Sequence, residues 1–181
     1  MKYNPDVHHR HSIRLKDYDY SNGGMYYITI CTQNRECILS EIVGADSISA
    51  QLTLTNVGEM INNVYLNLEN QFKNIKLHDY IIMPNHIHGI VEICASERAD
   101  MESAPTANKI IQTFKRYTTI EYIKGVKQGI YKPFNKRIWQ RNYYEHIIRN
   151  EDELDKIIAY IKCNPFNWAN DINNKKAINN V

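Results

Sequence analysis

Between Ile75 and Cys94 the chain reads Ile-Lys-Leu-His-Asp-Tyr-Ile-Ile-Met-Pro-Asn-His-Ile-His-Gly-Ile-Val-Glu-Ile-Cys, and this stretch decides the fold. Two β-like runs, Ile75 to Met83 and His86 to Cys94, flank Pro84-Asn85. Proline has no N–H for a ladder and biases its predecessor away from the helical region, so the two runs read as neighbouring antiparallel strands joined by a turn. In an extended strand, side chains two apart share a face. His86 and His88 therefore project together, while Ile87, Gly89, Val91 and Ile93 look the other way into a core.

Outward from this pair, Met25 to Thr32 is rich in aromatic and β-branched residues and reads as a central strand. Cys37 to Val43 and Gln51 to Thr53 read as short strands around the turn at Gly44-Ala45-Asp46-Ser47. From Asn56 to Phe72 apolar residues recur at three- and four-residue steps, which is helical periodicity. A second helix is expected from Lys109 to about Ile123, ended by Gly125 and Gly129; a strand from Ile138 to Ile148; and a last helix from Asn150 to Lys162. At 181 residues the chain is expected to be a single domain, 1–181, with a basic N-terminal arm (1–21), a surface loop (95–107) and a polar tail (169–181) that frays.

Composition excludes several classes. Hydrophobic residues make up 43% and no apolar run approaches the roughly 20 residues of a bilayer helix, so a membrane span is not expected. The start, Met1-Lys2-Tyr3-Asn4-Pro5, lacks the apolar core of a secretory signal, and the chain reads as cytoplasmic. Cys31, Cys37, Cys94 and Cys163 have no metal-site or redox spacing. The net charge is only +2, yet Asn108 to Arg149 holds ten Lys or Arg against Glu121 and Glu145. Interleaved with Phe114, Tyr117, Trp139, Tyr143 and Tyr144, this segment suits nucleic acid, since cations track phosphates while bases stack on rings.

Two imidazoles on one strand face can serve one ion without bending the backbone. An H-x-H pair is nevertheless a modest signal in a chain with seven His, and His9 and His11 form another without strand alternation around them. On the last helix Asn150 and Glu153 make an N-terminal signature, and Leu154, Ile157, Ile158 and Ile161 form the buried stripe. Tyr160 and Asn164 fall together on the flank of that stripe, at the rim of the packed interface. Taken singly, a rim tyrosine exposing its hydroxyl and an asparagine ending a helix before Pro165 need no function, and nothing local selects one nucleophile among 13 tyrosines.

Together the segments are more specific. Tyr27-Ile-Thr-Ile-Cys-Thr32, Met83-Pro-Asn-His-Ile-His-Gly89, Trp139-Gln-Arg-Asn-Tyr-Tyr-Glu-His-Ile-Ile-Arg149 and Tyr160-Ile-Lys-Cys-Asn-Pro165, preceded by Ser12-Ile-Arg-Leu-Lys16, occur in order. Over about His8 to Trp168 the chain resembles the single-tyrosine transposases of the HUH nuclease superfamily, in particular the REP-associated type. The resemblance implies an α/β (α+β) sandwich with a central antiparallel sheet and helices packed on it, a ferredoxin-like arrangement, in agreement with the element order. It assigns His86, His88 and Asn164 to a divalent metal, Mg²⁺ or Mn²⁺, and Tyr160 to nucleophilic attack that leaves a 5′-phosphotyrosine. It implies single-stranded DNA with a hairpin or palindromic repeats as substrate and a homodimer as assembly, with the Tyr160 helix serving either its own histidine pair or its partner's. Lys136, Arg137, Trp139, Arg141, Tyr143, Tyr144, His146 and Arg149 are the DNA-contact candidates. Two competing readings are a DNA- or RNA-binding regulator of the same fold without catalysis, and a hydrolytic metalloenzyme using the two histidines with an acid such as Glu92.

Overall fold

The computed structural model describes residues 23–43, 51–94 and 106–174. The basic arm, its His9/His11 pair, most of the 95–107 loop and the chain beyond Asn174 lie outside the described residues. In chain order the elements are strands β1 (Gly24–Cys31), β2 (Ser40–Val43) and β3 (Gln51–Leu54), helices α1 (Asn56–Leu66) and α2 (Leu68–Gln71), strands β4 (Ile75–Ile82) and β5 (His86–Ile93), helix α3 (Ala107–Lys127), strand β6 (Tyr144–Ile148) and helix α4 (Glu151–Cys163).

Four strands form one sheet in the order β4-β5-β1-β6, and β2 and β3 pair separately as a hairpin. Every neighbouring pair is antiparallel. Without the small hairpin the chain runs β-α-β-β-α-β, and the sheet order with its all-antiparallel pairing is the ferredoxin-like arrangement. Right-handed crossovers put both intervening helices on the same face of such a sheet. Tyr26, Ile28, Ile30, Ile87, Val91 and Ile93 accordingly share the main core with Ile61 and Tyr65 of α1 and Ile110, Ile111 and Phe114 of α3.

The opposite face carries α4. There Ile90, Ile148 and Ile161 are buried, with Met25, Tyr27, Leu154, Ile157 and Ile158 packed partly against them. This second core is much smaller than the first. Helix α4 starts where expected: Asn150 Oδ1 accepts from the Glu153 N–H at 2.9 Å, and Glu153 Oε2 accepts from the Arg149 N–H at 2.8 Å. Both bonds satisfy amides at the helix entry, and Glu151, Asp152 and Glu153 face the positive end of the dipole.

Three expectations need correction. The helix expected to end near Ile123 runs to Lys127 straight through Gly125, whose missing Cβ leaves room for the Tyr131 ring only 2.2 Å from where that carbon would stand. It is Gly129, at φ +75°, that carries the chain out of the helix. The strand expected from Ile138 is limited to Tyr144–Ile148, preceded by a single bridge between Thr32 and Trp139. The polar tail does not fray at its start: Asp171, Asn173 and Asn174 are buried against the sheet.

Candidate active site

Strand alternation and register build the site. On β5, His86, His88 and Ile90 face α4, and the antiparallel register sets Cys31 opposite His86 and Thr29 opposite His88. His86 Nε2 and His88 Nε2 lie 3.0 Å apart, both side chains almost wholly buried.

Each ring is held through its other nitrogen. Asn85 Nδ2 donates to Asn173 O at 2.8 Å, which leaves Asn85 Oδ1 as the acceptor facing His86 Nδ1 at 2.8 Å. His86 must then carry its proton on Nδ1, with the Nε2 lone pair directed into the site. His88 Nδ1 lies 2.7 Å from the Tyr27 hydroxyl and 2.9 Å from the Thr29 hydroxyl. Hydroxyls both donate and accept, so this pair supports either tautomer of His88.

Burial first, then the Arg35 charge, lowers the His86 pKa to about 3, against a smaller raising contribution from the Asn164 amide. Burial and the neighbouring His86 lower His88 to about 3 as well, with Asp171 opposing. Both imidazoles are therefore neutral at physiological pH, the form that coordinates a metal.

Helix α4 brings Tyr160 and Asn164 to the same place. The Tyr160 ring centroid lies 5.3 Å from that of His88 and 6.4 Å from that of Tyr27, and the side chain is 47% exposed. Burial, then the negative charge of Asp171, raises the pKa of its hydroxyl, and a hydrogen bond with Asn164 partly offsets this. Asn164 is deeper than the rim position expected of it: it is buried, and its Oδ1 has no hydrogen-bond partner among the described residues. A buried carbonyl oxygen left unpaired costs about 1–3 kcal/mol, and its presence beside the His86 ring calls for a ligand.

A fourth group comes from the tail. Asp171 Oδ2 lies 3.7 Å from His86 Nε2, and one ligand atom each of His86, His88 and Asp171 fit within 4.8 Å of one another. Asp171 is fixed by the Asn173 N–H, which donates to its Oδ1 at 2.6 Å, while Arg35 Nη1 donates to Ile172 O at 2.9 Å and Asn173 Oδ1 at 2.6 Å. The neutral His86 ring gives this carboxylate no charge compensation. Adjacent ligands on an octahedral ion with bonds of about 2.1 Å stand about 3 Å apart, matching the histidine pair. Two imidazoles, an unpaired amide oxygen and a buried carboxylate thus fit a divalent cation.

His86, His88, Tyr160 and Asn164 are thus brought together on the α4 face of the sheet. A model of the family described as "Transposase IS200 like" matches residues 22–164. The chain belongs to the IS200-like transposase family. It is 36% identical over 177 residues to an uncharacterized protein of Haemophilus influenzae, covering 94% of this chain and 96% of that one. Two solved structures are similar at lower levels. One is a REP-associated tyrosine transposase bound to a REP hairpin, 19% identical, with a TM-score of 0.48 over 83% of this chain and 73% of the other. The second is a candidate transposase from Deinococcus radiodurans R1, 14% identical, with a TM-score of 0.45 over 82% and 95%.

In this transposase the DNA-contact candidates divide by position. Tyr144 and His146 face α4, opposite Thr29 and Tyr27 of β1. Tyr144 is 56% exposed with its ring 6.1 Å from Tyr27. His146 Nε2 lies 2.6 Å from Glu153 Oε1. Tyr143 belongs to the other face: it packs against the main core, donates to Glu145 Oε2 at 2.6 Å and sits under the Lys115 ammonium at 5.6 Å. This separates it from the histidine pair and removes it as a rival nucleophile. Trp139 needs correction as a base-stacking candidate. It is buried, donates Nε1–H to Thr118 Oγ1 at 2.8 Å and packs at a tilt against Phe114, so it is a core residue.

Lys136, Arg137, Arg141 and Arg149 are exposed. The loop bearing Arg141 is tied to the histidine end of the sheet, because the Gln140 N–H donates to Cys31 O at 2.9 Å and Cys31 pairs with His86. Glu92, the acid named for the hydrolytic alternative, bonds His78 at 2.7 Å and lies six residues along β5 from His86; the carboxylate at the histidine pair is Asp171. Sequence reasoning missed Asp171, Tyr27, Thr29 and Asn85 as site residues. Asp171 left one signal, as the sole acid after Asp155.

No helix among the described residues is long and apolar enough to cross a membrane.

Proposed function

We propose that this transposase nicks and rejoins single-stranded DNA through Tyr160, with a divalent metal, Mg²⁺ or Mn²⁺, held by His86, His88, Asn164 and Asp171. One observation carries the reading: Tyr160 stands beside His88 at a buried cluster whose Asn164 oxygen lacks a partner. A pure nucleic-acid binder has no use for that unpaired oxygen, and the family is one of transposases.

The bound ion would supply charge withdrawal from the scissile phosphate. The chain's own groups do the rest. Tyr160, half-exposed on a packed helix, presents Oη to phosphorus from one side. The Oη–P bond forms as the P–O3′ bond breaks; the phenolic proton is given up and the departing 3′ oxygen gains one. The phosphotyrosine conserves the diester's energy, so reversal by another 3′ hydroxyl rejoins strands without ATP.

The proposed substrate is a strand bearing a hairpin or palindromic repeat, and the proposed assembly is a cytoplasmic homodimer. In the structure one chain by itself holds Tyr160 against its own His88, so the cis arrangement is the one we propose. The test mixes end-labelled single strands from the flanks of the gene with parent and Tyr160→Phe proteins, with Mn²⁺ or with chelator, on a denaturing gel. A covalent adduct that needs both Tyr160 and the ion is expected. An adduct that persists in Tyr160→Phe, or full cleavage in excess chelator, overturns the assignment.

A further inference from the structure

Beside the histidine cluster, an open cleft of about 380 Å³ lies between β1, β6 and α4. Its walls include Tyr27, Tyr144 and Tyr160, and its polar lining is His146, Glu153 and Lys156. The Tyr27 ring joins cavity and cluster: it stacks on His88 at 5.5 Å and 24°, and meets Tyr144 and Tyr160 edge-on. Tyr144, on the edge strand β6, is left more than half open to this space.

Phosphate is a poor fit here. Glu153 places a carboxylate in the lining, held there by His146 and the Arg149 N–H, and would repel an anion. A nucleobase is a good fit: it has a π-face for Tyr144, N–H groups for a carboxylate and carbonyl oxygens for the Lys156 ammonium, one helical turn from Glu153. In a strand whose phosphate lies at Tyr160, the bases within reach are those flanking the cut. We propose that this cavity is a base-reading subsite that holds one unstacked base next to the scissile phosphate, stacked on Tyr144 and read by Glu153 and Lys156. An N–H for Glu153 together with a carbonyl oxygen for Lys156 is found on cytosine, guanine and thymine; adenine alone lacks the carbonyl. The subsite therefore discriminates against adenine. The inference rests on the proposed nicking reaction for its biological meaning, but its test does not depend on cleavage.

The experiment measures binding of dye-labelled five-nucleotide strands to the whole protein by fluorescence anisotropy in chelator. The strands are abasic throughout except for one central position that bears C, G, A, T or no base. All carry the same backbone charge, so differences report the base alone. Cytosine, guanine or thymine should bind about ten-fold or more tightly than the fully abasic strand, in line with the loss of one base stacked on an aromatic ring. Adenine should fall between. Tyr144→Ala should abolish the gain from any base while leaving affinity for the abasic strand unchanged, and Tyr144→Phe should retain it. Lys156→Met should bring cytosine, guanine and thymine down to the level of adenine. Equal affinity for all five strands, or an equal loss on abasic and base-bearing strands in Tyr144→Ala, overturns the subsite. Absence of any covalent adduct in the separate gel assay would instead overturn the nicking reaction and leave the base ranking standing.

Discussion

The Tyr27 hydroxyl lies 2.7 Å from His88 Nδ1, joining the central strand to the histidine pair from a position diagonal to His88 in the ladder. Partners of this kind orient a metal-binding imidazole and set its tautomer, and their loss costs about 10–100-fold in metal affinity or activity. Tyr27→Phe keeps the ring that packs on His88 and Tyr160 but removes the oxygen. Under the proposed function it should raise the Mn²⁺ concentration needed for half-maximal cleavage about ten-fold, with a circular dichroism spectrum like the parent's. Thr29→Val, which leaves the Tyr27 bond in place, should do less. An unchanged metal requirement in Tyr27→Phe would make the contact a packing feature only.

Asp171 is the carboxylate that sequence reasoning did not select. Asp171→Asn keeps an acceptor for the Asn173 N–H and removes the charge facing the two neutral imidazoles. Mn²⁺ affinity, measured by titration calorimetry, should fall about 10–100-fold. Affinity equal to the parent's would limit Asp171 to docking the tail.

The exposed cations on the loop before β6 should grip phosphates. Single-strand binding that neutralises phosphates weakens with salt by about 0.7 log units per contact for each ten-fold rise in salt. Replacing Lys136, Arg137 and Arg141 together with Ala should reduce that slope by about 2 in an anisotropy titration across salt. Equal slopes in mutant and parent would mean that these charges are merely solvated.

Gly89 follows the histidine pair for a steric reason. A Cβ there would stand 2.4 Å from the hydroxyl of Tyr65, which is fully buried and has no hydrogen-bond partner among the described residues. Gly89→Ala should cost about 1–3 kcal/mol by overpacking, seen as a lowered melting temperature. Tyr65→Phe removes the obstructing oxygen without breaking a hydrogen bond, so the double variant should recover most of the loss. A double variant no more stable than Gly89→Ala would refute the steric account.

Periodicity alone made much of this protein legible. The pleat placed His86 and His88 on one face, the apolar stripe of Leu154, Ile157, Ile158 and Ile161 placed Tyr160 and Asn164 on one flank, and Asn150 marked the start of their helix, because these relations are set within a few residues by backbone geometry. Tertiary structure decided which strand faces the histidines, and hence that Tyr27 and Thr29 hold His88: register between strands distant in sequence depends on packing across the whole sheet. It buried Trp139, which composition alone had offered to DNA, because the bridge to Thr32 turns that ring inward beneath α3. It also decided that the start of the polar tail, to Asn174, would dock instead of fraying, since Asp171 and Asn173 find Arg35, Asn85 and His86 only after two segments more than 80 residues away in the chain have been brought to one end of the sheet.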